Sequence, residues 1–180
     1  MNSPVEVTDS VALPGHAGER IVARWDDVEV LLVTADSSEA ERTIAAAIAR
    51  RAMHDTPFHE PAYLATDSSD TRVLICRSHG VAIGLTVLRR HPRWAWWSWD
   101  DWDAERRPST GVAPLPAWTV ETIWVHHTAQ SRGFAHRLLE AASREVDQPI
   151  TSFAWRRPFT PSGEAFVRRL CPEGFWIPGG

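Results

Sequence analysis

The sequence predicts an α/β fold of the α+β type, a mixed and mostly antiparallel sheet flanked by helices. Two hairpin signatures supply the antiparallel strands, and a later strand–helix–strand–helix run supplies the helical layers. At 43% hydrophobic and 23% charged over 180 residues, the chain suits one domain able to bury its own core.

Residues 1–19 carry Pro4, Pro14, Gly15 and Gly18 and read as an irregular arm; residues 20–180 read as a single domain. "RIVARWDDVEVLLVT" is a hairpin hinged at Asp26-Asp27. Ser38 and Glu41 match a capping box, and Ala40, Ile44, Ala47 and Ile48 follow at helical spacing, with Pro57 beyond the helix end. "TRVLICRSHGVAIGLTVLRR" is a second hairpin turning at Ser78-His79-Gly80. Gly84 in its return strand marks a bulge or a close approach by another group. An insert at about 91–118 then holds six of the ten tryptophans beside Asp100, Asp101, Asp103 and Glu105. "TVETIWV" restores strand patterning. "SRGFAHRLLEAASREV" is helical, with Leu138, Leu139, Ala142 and Val146 on one face, and "ITSFAW" reads as a short strand. "TPSGEAFVRRL" opens a last helix with proline in its first turn, where its missing N–H costs nothing.

The totals exclude several classes of function. A formal net charge of -4 argues against a nucleic-acid surface. All 19 basic side chains are arginine, which with the abundant alanine points to a GC-rich, bacterial coding background. The pairs Arg50-Arg51, Arg89-Arg90 and Arg168-Arg169 read as solvated faces. Cys76 and Cys171 are too few for a disulfide framework, and Cys76 sits in the apolar run "RVLIC" as a core residue. No apolar segment is long enough to span a bilayer, and "MNSPVEVTDS" lacks the layout of a secretory signal. A cytoplasmic protein without membrane partners is the expectation.

The informative stretch is "VHHTAQSRGFAHRLLEAA", from Val125 to Ala142. N–H groups at a helix start lack intrahelical partners and carry partial positive charge, so a pyrophosphate can bind there if no side chain blocks it. Gly133 and Ala135 leave that clearance. Taken alone, the same glycine is also what a tight strand-to-helix turn requires.

In its context, "IWVHHTAQSRGFAHRLLEAA" resembles the acetyl-CoA-binding motif of the GNAT N-acetyltransferase superfamily. A strand ending in valine is followed there by Arg/Gln-x-x-Gly-x-Gly/Ala, matched here by Val125, Gln130, Gly133 and Ala135. "GVAIGLTVL" resembles the family's central strands and "TPSGEAFVRRLCPEGFW" its closing helix and strand, so the likeness covers roughly residues 20–180. "ETIWV" with "FTPSGEAFVRRLC" resembles the catalytic domain of the cohesin acetyltransferases in particular. That branch's zinc finger has no counterpart here, so no metal is expected. Pro158 and Phe159 stand where its catalytic aspartate would precede Thr-Pro, and Leu170 stands in place of a tyrosine acid used elsewhere in the superfamily. The resemblance implies acetyl-CoA as co-substrate, held by Ile123, Val125, Gln130, Ser131, Arg132, Gly133, Phe134, Ala135 and His136. Ser162, near the last helix start, touches the cofactor or serves only as an N-cap.

Acetyl transfer to an amine needs a group to take the amine proton. Glu121 fits, four residues before Val125 and therefore on the same face by strand alternation; the alternative is a solvated edge glutamate. His126 and His127 are rivals that point opposite ways at a strand end. Indole faces attract cations, so Trp97, Trp99, Asp100, Asp101 and Asp103 suit a small cationic amine such as an aminoglycoside, whose modification would confer resistance. A tryptophan-rich lid, a core or a homodimer patch is the competing explanation. Protein lysine acetylation and a non-catalytic acetyl-CoA or partner-binding module are the rival functions.

Overall fold

The structure, a computed structural model, describes residues 11–15, 17–55, 68–110 and 116–178. Strands β1 (Ile21–Trp25) and β2 (Val28–Val33) form the first hairpin, with Asp26 at φ 51° in its turn. Helix α1 (Glu39–His54) starts at the capping box: Glu41 Oε2 accepts from the Ser38 amide at 2.7 Å, and Ser38 Oγ accepts from the Glu41 amide at 3.3 Å. Pro57, expected beyond its end, lies outside the described residues. Strands β3 (Thr71–Ser78) and β4 (Val81–Ser98) are joined by His79 and Gly80 at φ 49° and 75°, the left-handed pair that matches strand twist. Helix α2 (Trp99–Asp103) and strand β5 (Ser109–Thr110) follow, then β6 (Pro116–Val125) and α3 (Phe134–Val146). Strand β7 (Ala154–Trp155), α4 (Pro161–Leu170) and β8 (Gly174–Pro178) complete the chain.

The sheet order is β1-β2-β3-β4-β6-β7-β8, with β5 beside β4. All pairings are antiparallel except β6–β7 and β7–β8. β4 serves two neighbourhoods. Its first part pairs with β3 and β6, and Arg93–Ser98 pairs with β8. Residues 91–98, the start of the tryptophan-rich segment, are therefore sheet, continuous with the strand before them. Strand β7 is shorter than "ITSFAW" suggested, because Ile150–Ser152 winds into a 3₁₀ turn after Pro149.

Each sheet face has its own core. One packs Val30, Leu74, Leu88 and Val120 against Leu138, Leu139 and Ala142 of α3 and Val167 of α4. The other packs Leu31, Ile75, Leu85, Val87 and Trp124 against Ala45, Ile48, Ala49 and Ala52 of α1. Burial pushes the Cys76 thiol up to about 12, so it stays an inert core group. Gly84 sits where α3 crosses β4. A Cβ there would lie 3.1 Å from Leu138 Cδ1 and 3.3 Å from the Trp124 carbonyl oxygen, with β3 and β4 out of simple register beside it. Gly84→Ala is expected to cost about 1–3 kcal/mol through overpacking, read from denaturant unfolding.

The arm is partly structured. Ala12 bridges to Val81, Leu13 is buried, and its amide donates to Gly80 O at 2.7 Å. Arg77, only 7% exposed, grips Glu19 through two bonds of 2.7 and 2.8 Å and also pairs with Glu29. Arg77→Ala would remove the guanidinium that holds both Glu19 and Glu29; the expected loss is about 3–5 kcal/mol in denaturant melts.

Candidate active site

β6 and β7 touch only at Thr119–Ala154 and Val120–Trp155, after which the Arg156 amide donates to Val120 O at 3.0 Å. From Glu121 onward, that edge of β6 pairs with no strand among the described residues. On the other edge, the His126 amide donates to Ile83 O at 3.0 Å. Antiparallel alternation then directs the main-chain groups of Thr122 and Trp124 to β4, and those of Ile123 and Val125 into the gap. Gln130 Nε2 donates to Val125 O at 3.1 Å, so this side chain braces the strand end against the turn.

The turn delivers the start of α3 to the same gap. His127–Ala129 forms a 3₁₀ turn pinned by Ala129, which is fully buried. Ser131 and Gly133 adopt φ 61° and 82°. Gly133 is the α3 N-cap and supplies no side-chain acceptor, and a Cβ built on it meets no atom within 4 Å. The first amides of α3 therefore meet no side-chain cap, the arrangement in which a helix start can accept an anion such as a diphosphate. Phe134 is buried against Trp25 and anchors the helix, while Ser131, Arg132 and His136 are exposed around the opening and Ala135 is partly so. The nine residues from Ile123 to His136 assigned to the cofactor thus line one continuous strand edge, turn and helix start. Ser162 does not cap α4; Thr160 does, accepting from the Gly163 amide at 3.0 Å, and Ser162 Oγ lies 3.2 Å from Thr160 Oγ1.

Glu121 occupies a β-bulge. Val87 pairs with Thr122 and Leu88 with Val120, leaving Glu121 as the extra residue. The expected alternation consequently fails: Trp118 and Val120 join the α3-side core before the bulge, and Ile123 and Val125 join it after. Glu121 does not share a face with Val125. Its carboxylate, 9% exposed, has Oε1 2.8 Å from His91 Nε2 and Oε2 3.3 Å from Arg156 Nε. Neither His91 nor Arg156 was singled out by sequence reasoning. Only strand register brings them to residue 121, and register leaves no local signal.

The histidine rivals are not disposed as a strand end requires, because β6 stops at Val125. His126 is buried, with Nδ1 2.8 Å from Thr128 Oγ1, and its ring packs on that of exposed His127 at 4.2 Å between centroids.

Three tryptophans of the segment pack around one ring of β8. Trp97, Trp99 and Trp102 surround Phe175, with Trp97–Trp102 edge to face at 5.0 Å and Trp99–Phe175 at 4.7 Å. The indole faces already hold cations from this chain: Arg157 lies 4.3 Å from the Trp97 centroid and Arg168 4.1 Å from that of Trp99. Asp101 pairs with Arg106 at 2.8 Å and Asp103 with Arg168, while Asp100 is exposed. The grouping proposed for an acceptor is therefore a buttress between β4, α2 and α4. Arg168, expected on a solvated face, is part of it.

No family model matches the chain, and no curated protein matches it in sequence. Solved structures do match in shape. The xEco2 acetyltransferase domain bound to a CoA conjugate superposes with TM-score 0.70 at 18% identity, covering 90% of this chain and 98% of that one. A second structure of the xEco2 acetyltransferase domain gives 0.69 at 19%, covering 92% and 99%. A ribosomal-protein-alanine N-acetyltransferase from Brucella melitensis biovar Abortus 2308 gives 0.51 at 14%, covering 80% and 90%. With its parallel β6–β7 pair and the glycine-started helix between them, this chain has the GNAT fold, in a form resembling the cohesin acetyltransferase domain.

Proposed function

We propose that the chain is an acetyl-CoA-dependent N-acetyltransferase acting on a primary amine. The observation that carries this reading is the edge of β6, unpaired from Glu121 onward among the described residues, followed after a 3₁₀ turn by an α3 start without a side-chain cap. Acetyl-CoA supplies the activated acetyl thioester when bound. The α3 amides after Gly133 would hold its diphosphate, and the Ile123 and Val125 amides would align its extended arm and donate to the thioester oxygen. Glu121 takes a proton from the acceptor ammonium, so that the nitrogen lone pair is free to attack.

We infer a small cationic amine, of the aminoglycoside kind, as the acceptor. What supports it is the largely buried Glu121 carboxylate beside the gap, which suits one ammonium group at a time. The self-packing of the tryptophans removes the support that the sequence lent to it. Protein lysine is the second reading, favoured by the likeness to a cohesin acetyltransferase domain. Thiol release from acetyl-CoA, measured across an aminoglycoside panel and a lysine-peptide library, tests both. Release with peptides alone would reject the small acceptor, and release with neither would favour a binding module.

A further inference from the structure

A carboxylate buried to 9% exposure can accept one proton per turnover only if it can also lose it. Among the described residues, one neighbour is able to do both. His91 Nε2 lies 2.8 Å from Glu121 Oε1, and both atoms are buried without a properly aligned hydrogen bond. His91 belongs to β4, where it pairs with Ala117 beyond the last β3 contact at Arg89 and before the β8 pairing at Arg93. It stands on the α1 side of the sheet, the face of Val87 two pleats away. Its side chain keeps 19% exposure, about twice that of Glu121. The other charged groups here are Arg156, 3.3 Å from Glu121 Oε2, and Arg89, two residues earlier on the same face of β4. Neither arginine can carry a proton away at neutral pH, because guanidinium does not give one up.

We propose that His91 is a positioning and relay residue, taking the acceptor's proton from Glu121 and passing it to solvent. This rests on the acetyltransferase reading of the site. The ammonium N–H bond breaks, its electron pair stays on nitrogen, and the proton moves to the Glu121 carboxylate. The carboxylic O–H bond breaks as His91 Nε2–H forms, and the imidazolium then releases the Nδ1 proton to water. Imidazole suits the task because one ring nitrogen can accept a proton while the other releases one.

The test is chemical rescue in weakly buffered solution. His91→Phe is expected to lower kcat by about 10², with KM for acetyl-CoA unchanged, and added imidazole should restore turnover in proportion to its concentration. Glu121→Gln should show no rescue. A lasting loss without rescue, or undiminished kcat, overturns the relay. His91→Asn serves the same experiment should the phenylalanine variant not fold. If the wild-type chain binds no coenzyme A and acetylates no amine, the functional reading itself fails; a productive wild type with no rescue removes the relay alone.

Discussion

Glu121→Gln is expected to lower turnover at neutral pH by about 10²–10⁴ while leaving coenzyme A affinity within about twofold of wild type. The amide nearly matches the carboxylate in shape, so the bulge, the His91 contact and the Arg156 contact keep their geometry. It cannot take a proton from an ammonium. The residues proposed to hold the cofactor are untouched, since Ile123 and Val125 would act through their main chain and the α3 start is a separate element. Single-turnover and calorimetric measurements on one preparation separate the two effects. Unchanged turnover would move the base role away from Glu121.

The second large effect is expected at Ala135, in the first turn of α3. A glutamate there suits the helix, because a carboxylate near an N-terminus is worth about 0.3–1 kcal/mol of stability. It does not suit a diphosphate, which would meet a like charge at the same amides. Ala135→Glu should therefore hold or raise Tm and weaken coenzyme A binding by about 10² or more, on a loss of roughly 3 kcal/mol. A merely structural turn would show the first effect without the second.

The sequence yields those features that local chemistry sets. The capping box at Ser38 and Glu41, the His79-Gly80 turn and the Gly133 helix start each require particular residues within four positions. The strand, turn and helix start proposed to hold the cofactor were legible as elements for that reason, being contiguous. Features made by register were not. The bulge at Glu121 exists only because Val87 and Leu88 pair across it, and it reverses the side-chain parity on which the same-face argument relied. His91, on β4, and Arg156, just past β7, reach Glu121 from 30 and 35 residues away in sequence. The partners of the tryptophans were hidden for a similar reason. Nothing local announces that Arg157 and Arg168, arriving from the far end of the chain, will cover their faces. The arm was read as irregular because its anchors, Leu13 under Gly80 and Glu19 on Arg77, are equally remote.

Titration of the wild-type chain with coenzyme A, followed by calorimetry, addresses the central claim most directly. Main-chain amides on the free side of β6 and at the head of α3 should give saturable one-to-one binding that Ala135→Glu suppresses. Absence of measurable binding by a folded wild-type chain, or equal binding by the variant, would contradict the account.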